Sequence, residues 1–240
     1  MSTLISWTQE TLNLLTGCTK CSAGCANCYA ERQIHIKIKN PNPKISYKFR
    51  NGFNKVTEHP QYLYHAILRG KPKLIFLNSL SDTFHPDGSV EFLHQTFDMI
   101  RKHPQHIFQV LTKRPERLHL IEDYPSNAWL GVTVENADYL NRIDYLLKTN
   151  ATVKFCSFEP LLGPIPSDAV VGLDWVIVGG ESGPKARTMR PEWAVGIREA
   201  CQTHGVPFFF KQMGGKGRDK GGKLLCGKLY QEFPVNVVKK

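Results

Sequence analysis

Four of the seven cysteines fall within eleven positions, at Cys18, Cys21, Cys25 and Cys28, while Cys156, Cys201 and Cys226 are scattered. An odd total with one tight cluster argues for a metal centre rather than a disulfide framework. Two three-thiol registers are available. Cys21, Cys25 and Cys28 have a C-x3-C-x2-C spacing, whereas Cys18, Cys25 and Cys28 have the wider C-x6-C-x2-C spacing. Three thiolates on a [4Fe–4S] cluster leave one iron open to a chelating cofactor. Zinc held by all four is another chemistry, although only three residues separate the pairs Cys18/Cys21 and Cys25/Cys28, fewer than zinc ribbons and knuckles usually have. A cluster with four thiolate ligands and no open iron is a third.

The elements that would position such a loop are strands. Short, nearly continuous apolar runs occur at Leu74–Asn78, Ile107–Leu111, Trp129–Val134, Thr152–Phe158, Trp175–Val178 and Pro207–Phe210. That is the pattern of strands buried on both faces of a parallel sheet. Helical periodicity lies between them over Val90–Lys102, Ala137–Lys148 and Glu192–Thr203, the last opened by Pro191 and closed by Gly205. With Leu12–Leu15 as a first strand, the series predicts an α/β fold: a partial (βα)6-7 barrel with parallel strands.

Polar residues gather where each run ends: Asn78, Ser79 and Asp82; Lys113 and Arg114; Thr133, Glu135 and Asn136; Glu159; Gly179, Gly180, Glu181 and Ser182; Lys211 and Gln212. In βα barrels the C-terminal ends of the strands build the active site, so these sets predict a catalytic face. The nine histidines show no metal spacing.

The 240 residues, 41% hydrophobic and 22% charged, suit one α/β unit. No run of about 18 apolar residues suggests a membrane span. Residues 1–10 lack the features of a signal peptide, which gives a cytoplasmic setting as the expectation. The net charge of +10 is uneven. From Arg32 to Lys73 ten basic residues face one acid, Glu58, and from Lys211 to Lys240 eight face two. Clustered Lys and Arg favour a polyanion, so nucleic acid or a nucleotide is the expected partner. The segment 36–60 reads as an irregular basic insertion on a barrel spanning 1–213, and 214–240 as a basic Gly/Lys-rich C-terminal tail. In the insertion Tyr47, Phe49 and Phe53 interleave with Lys44, Lys48 and Arg50, which suits base stacking or core anchoring.

Several stretches resemble known enzymes. Gly24–Ala30 is similar to the end of the cluster loop in radical S-adenosylmethionine enzymes of the spore photoproduct lyase type. Ser79–Pro86 resembles their second-strand stretch, and Thr112-Lys113 their third-strand pair. More of the chain is similar to a family of small bacteriophage and bacterial proteins named for a three-cysteine motif. The similarity is carried by Trp7-Thr8, Thr16–Cys18, Cys28–Glu31, Tyr47–Thr57, Leu111–Arg117, Gly131–Asn136, Glu159–Ile165, Trp175–Pro184 and Pro207–Gln212. The resemblance implies a radical SAM-like barrel with cluster ligands Cys18, Cys25 and Cys28, Cys21 being the alternative to Cys18. It implies S-adenosylmethionine bound at the strand ends by Tyr29, Asn78, Ser79, Asp82, Lys113, Thr133 and Glu135, and Glu181, at the end of the sixth strand, is a further candidate that could meet adenine, substrate or only Arg187. The enzyme would then need a reductant such as flavodoxin or ferredoxin, and would act on nucleic acid or a nucleotide by repair-like cleavage or base modification. The rival from another class is a non-catalytic nucleic-acid-binding module stabilised by zinc or an iron–sulfur cluster.

Overall fold

The computed structural model describes residues 3–217 and 219–234. Arg218 and residues 235–240, part of the expected basic tail, lie outside the described residues. The chain divides into two compact units, Met1–Trp129 with Asn150–Thr152, and Leu130–Thr149 with Val153–Lys240.

The first unit contains β1 (Glu10–Leu12), β2 (Leu15–Thr16), α1 (Tyr29–Ile38), α2 (Pro43–Lys48), β3 (Thr57–Glu58), β4 (Leu74–Leu77), α3 (Val90–Arg101) and β5 (Ile107–Thr112). Strand β4 pairs in parallel with β1 on one side and β5 on the other. All four of its residues are buried, as its unbroken apolar run requires. Helix α3 starts where the Ser89 hydroxyl accepts from the Phe92 amide, and it buries Phe92, Leu93, Phe97 and Ile100 along one face.

Two expectations change here. The single first strand over 12–15 is two strands, β1 and β2, and β2 pairs antiparallel with β3. The cause is Asn78. Its backbone is left-handed, with φ 55°, and its Oδ1 accepts from the amides of Leu14 and Leu15 at 2.8 and 2.9 Å. Those bonds turn the chain out of the sheet after Leu12. The basic insertion is also more regular than its composition suggested. Phe49 and Phe53 join Ala30, Ile34 and Leu80 in an apolar cluster, and Cys18, Cys28, Ile38 and Ile45 pack against it. Core anchoring is therefore what those two phenylalanines do.

Strand β6 (Ala128–Thr133) carries the division between the units. The second unit contains α4 (Asn141–Leu147), β7 (Val153–Phe158), β8 (Trp175–Gly179), α5 (Pro191–His204), β9 (Phe208–Gln212) and the short strands β10 (Leu224–Leu225) and β11 (Lys228–Leu229). Strands β7, β8 and β9 pair in parallel, and α5 ends at Gly205 with φ 67°, as expected. Gly131 lies against the Phe155 ring, where a Cβ would sit 2.5 Å from a ring carbon. The chain after β11 covers the free edge of β9: Phe210 donates to the Tyr230 carbonyl at 2.8 Å, and Glu232 donates to Phe208 at 3.1 Å. Phe233 then stacks on Trp175 at 5.2 Å.

The sheet order is β1-β4-β5-β6-β7-β8-β9, the sequential parallel series predicted from the apolar runs. Among the described residues, no helix is long and apolar enough to cross a membrane.

Candidate functional site

In the first unit the residues following β1, β4 and β5 are tied to one another and to the cysteine loop. Asn13, just past β1, uses its Oδ1 to accept from the Leu80 amide at 3.0 Å and the Ser79 hydroxyl at 3.2 Å. The loop leaves β2 through Gly17, whose φ is 87° and whose absent Cβ would fall 2.1 Å from the Lys55 carbonyl oxygen. Only glycine meets both demands. Ser81 donates to the Gly17 carbonyl at 2.5 Å, and Cys18 donates its amide to Phe53 at 2.7 Å.

Asp82 is the hub. Its Oδ1 accepts from the Thr112 hydroxyl at 2.7 Å and the Phe84 amide at 2.9 Å, and its Oδ2 from the Lys113 amide at 2.9 Å. Arg114 pairs with the same Oδ2 at 3.3 Å, and both side chains are buried. The guanidinium reaches onward, with Nη1 3.6 Å from Cys18 Sγ and Nη2 donating to the Thr19 carbonyl and hydroxyl at 2.8 and 2.9 Å. His85, also buried, closes the ring from the other side. Its Nδ1 accepts from the Asp87 amide at 3.1 Å, and its Nε2 lies 2.8 Å from Thr19 Oγ1. The Thr19 amide also points at Nε2, at 3.2 Å, so the main chain and the hydroxyl of Thr19 both meet this one nitrogen of the neutral imidazole. Burial, and then the Arg114 charge, hold the His85 pKa below its ordinary value, consistent with that neutral form.

The thiols differ from one another. Cys25 is held down to about 4, first by the Cys21 thiol donating to it, with Lys113 and Ser22 adding to the effect against the cost of burial. Cys21 is raised as the other half of that bond and by burial. Burial and the Asp82 charge push Cys18 up to about 11, although Arg114 opposes them. Burial also raises Cys28.

Among the described residues, no three Cys, His, Asp or Glu side chains stand in a geometry that would hold a metal ion. The donor chemistry nevertheless fits a thiolate-ligated centre. Cys18, Cys21 and Cys28 each interact electrostatically with Cys25. Two cations, Lys113 and Arg114, favour the charged forms of these sulfurs, which is the setting that makes cysteines reactive ligands.

The other residues expected to hold the cofactor divide between the two units. Tyr29 opens α1 and donates its hydroxyl to the Ser79 carbonyl. Asn78 spends its amide on Leu14, Leu15 and Thr83, so its side chain serves the fold. Lys113 is half-buried at the end of β5. Thr133, Glu135 and Glu181 belong to the second unit. Thr133 is buried at the end of β6, its carbonyl accepting from Arg142 at 2.7 Å. Glu135 is fully buried and pairs with Arg142 at 3.0 Å. Glu181 accepts from the backbone amide and the guanidinium of Arg187. Glu159 meets Lys211 at 3.0 Å and the Ser157 hydroxyl at 3.0 Å.

Cys156, considered as a hydrogen donor because it lies on β7, is fully buried and alternates with Phe155 and Ser157. It therefore faces away from the side on which Ser157 meets Glu159. His85, Thr19 and Asn13 had no role in the sequence reading. Their signal was present, because His85 lies in the Ser79–Pro86 stretch and Thr19 follows Cys18 directly.

A parallel βα chain with a cysteine loop at its strand ends is the class that fold and site define together. The chain belongs to the family described as "Protein of unknown function (DUF5131)", whose model matches residues 2–234. No curated protein matches it. Among solved structures it is similar to a Cys-to-Ser mutant of spore photoproduct lyase, with a TM-score of 0.55 and 11% identity over 88% of this chain and 78% of that one. A Tyr-to-Phe mutant of the same lyase gives a TM-score of 0.50 and 10% identity over 85% of this chain and 76% of that one. At such identity the likeness shows the fold alone, and the fold is the partial βα barrel expected from the sequence.

Proposed function

We propose that this protein is a radical S-adenosylmethionine enzyme whose cluster is held by Cys18, Cys25 and Cys28 and whose substrate is a nucleic acid or nucleotide. The observation that carries the reading is the placement of four thiols in a loop bonded to the residues just beyond β4 and β5, with Lys113 and Arg114 beside them. Held by Cys18, Cys25 and Cys28, a three-thiolate [4Fe–4S] cluster would leave one iron open to S-adenosylmethionine and would supply the electron that cleaves it to methionine and a 5′-deoxyadenosyl radical.

The chain's own residues divide the remaining work. The Lys113 ammonium offers a charged donor to the cofactor carboxylate. Asp82 fixes the backbone of Lys113 and the guanidinium of Arg114, and Tyr29 and Ser79 shape the same rim. Thr133, Glu135 and Glu181 are proposed as further cofactor contacts from their strand-end positions. The electron would come from a small carrier such as flavodoxin or ferredoxin.

The test is anaerobic reconstitution followed by addition of S-adenosylmethionine and reductant. About four irons per chain, visible absorption of a [4Fe–4S] centre and release of 5′-deoxyadenosine are expected. Stoichiometric zinc with no iron uptake sinks the proposal.

A further inference from the structure

Resting on that reading, the geometry points to Arg114 as the residue that selects Cys18 over Cys21 as the third cluster ligand and tunes the cluster's reduction potential. Cys21 and Cys18 both lie in the loop, and spacing alone leaves either free to complete a set with Cys25 and Cys28. Their surroundings differ. Cys21 is exposed, and its thiol meets Cys25 and the charges of Arg114 and Asp82. Cys18 packs against the apolar cluster of Phe49, Phe53 and Leu80 and has Arg114 Nη1 3.6 Å from its sulfur.

The guanidinium is itself held on three sides. Asp82 Oδ2 lies at 3.3 Å, and the Thr19 carbonyl and hydroxyl at 2.8 and 2.9 Å. Thr19 is held in turn by His85, with Oγ1 and Nε2 2.8 Å apart. The residue after Cys18 is thus clamped to the end of β5. Arg114 is buried and its fork is planar, so it can serve the sulfur, the carboxylate and the carbonyl together.

Two effects follow. Outer-shell partners that orient a metal ligand typically contribute about 10- to 100-fold in metal affinity. An N–H donor and a positive charge beside a cluster thiolate stabilise the reduced, more negative state, which raises the potential.

The experiment compares wild type, Cys21→Ser, Arg114→Gln and Arg114→Lys after anaerobic reconstitution. It reads iron per chain, resistance to a chelator, and midpoint potential by EPR-monitored redox titration, with circular dichroism as the fold control. Cys21→Ser should match wild type in all three. Arg114→Gln should lose iron to chelator at about 10- to 100-fold lower chelator concentration, and its remaining cluster should titrate at a more negative potential. Arg114→Lys keeps the buried charge opposite Asp82 and so protects the fold. It should recover much of the potential but not the affinity, because an ammonium cannot reach all three partners at once. Wild-type affinity and potential in Arg114→Lys overturn the inference even where Arg114→Gln fails to fold. Loss of the cluster in Cys21→Ser overturns it as well, while iron binding by wild type leaves the cluster reading standing. A wild type that takes up no iron overturns both.

Discussion

At the scale of single residues, two adjacent cations at the end of β5 have separate tasks. Arg114 is turned into the fold, locked between Asp82 and Thr19, whereas Lys113 lends only its amide to Asp82 and keeps its side chain half-buried. A half-buried lysine packs its methylenes on apolar wall and carries its charge at the tip. That charge already favours the Cys25 and Cys28 thiolates. A charge-assisted hydrogen bond from it to the cofactor carboxylate is worth about 1.5–3 kcal/mol, or about 10- to 150-fold in affinity. Lys113→Met is therefore expected to keep the reconstituted cluster and lose that much S-adenosylmethionine affinity in equilibrium binding. Equal affinity in mutant and wild type would remove Lys113 from the cofactor site.

At the scale of elements, the small β2–β3 pair decides where the cysteine loop departs. His59 secures it, donating its amide to the Leu14 carbonyl at 2.8 Å while its Nε2 lies 2.8 Å from Thr16 Oγ1. Burial first, and then the charges of Lys48 and Arg50, hold His59 down to about 4, against an ordinary value of 6.5. The unfolded chain thus binds a proton that the folded chain refuses. Stability from this group is complete above about pH 6.5 and is lost as pH falls toward about 4. Denaturant midpoints across that window should fall with acid in wild type and fall less in His59→Gln; parallel profiles would contradict the assignment. This pair also marks where the sequence stopped being readable. The apolar runs from Leu74 to Phe210 announced their strands because burial on both faces leaves an unbroken pattern. The division of the first strand depends on Asn78, more than sixty residues downstream, and no local pattern encodes it. In α1, in α2 and just past it, the anchoring residues Ile34, Ile38, Ile45 and Phe49 are spaced among lysines, so charge concealed a real core face. The cysteine spacing identified the loop, but its clamp of Arg114, Thr19 and His85 joins residues from separate strand ends.

At the scale of the whole chain, the question is what a net charge of +10 is for. Among the described residues, Lys44, Arg50 and Lys55 are exposed and meet no carboxylate in an ion pair, and Arg50 lies 3.7 Å over the exposed Tyr47 ring. Such a stack offers a planar face and a charge together, which suits an unpaired base and its phosphate. Lys48 belongs to a different category, although the sequence grouped it with them. Its ammonium sits 3.8 Å over the Tyr62 ring and donates to the Asn13 carbonyl at 3.1 Å. Burial, with the Lys37 charge adding to it, lowers its pKa to about 8. Reversing Lys48 would damage the floor of the cysteine loop and confuse a binding measurement. The informative variant is therefore Lys44→Glu/Arg50→Glu/Lys55→Glu with Lys48 intact. If this face carries nucleic acid, log K for wild type should fall with log salt by about 0.9 per phosphate neutralised on duplex and about 0.7 on single strands. The triple variant should bind more weakly with a flatter slope, and single strands should lose more than duplex because only they can stack on the Arg50–Tyr47 pair, which the variant breaks. Fluorescence anisotropy across a salt series reads all three quantities. A wild-type affinity indifferent to salt, or a variant with unchanged slope, assigns the positive charge to another role.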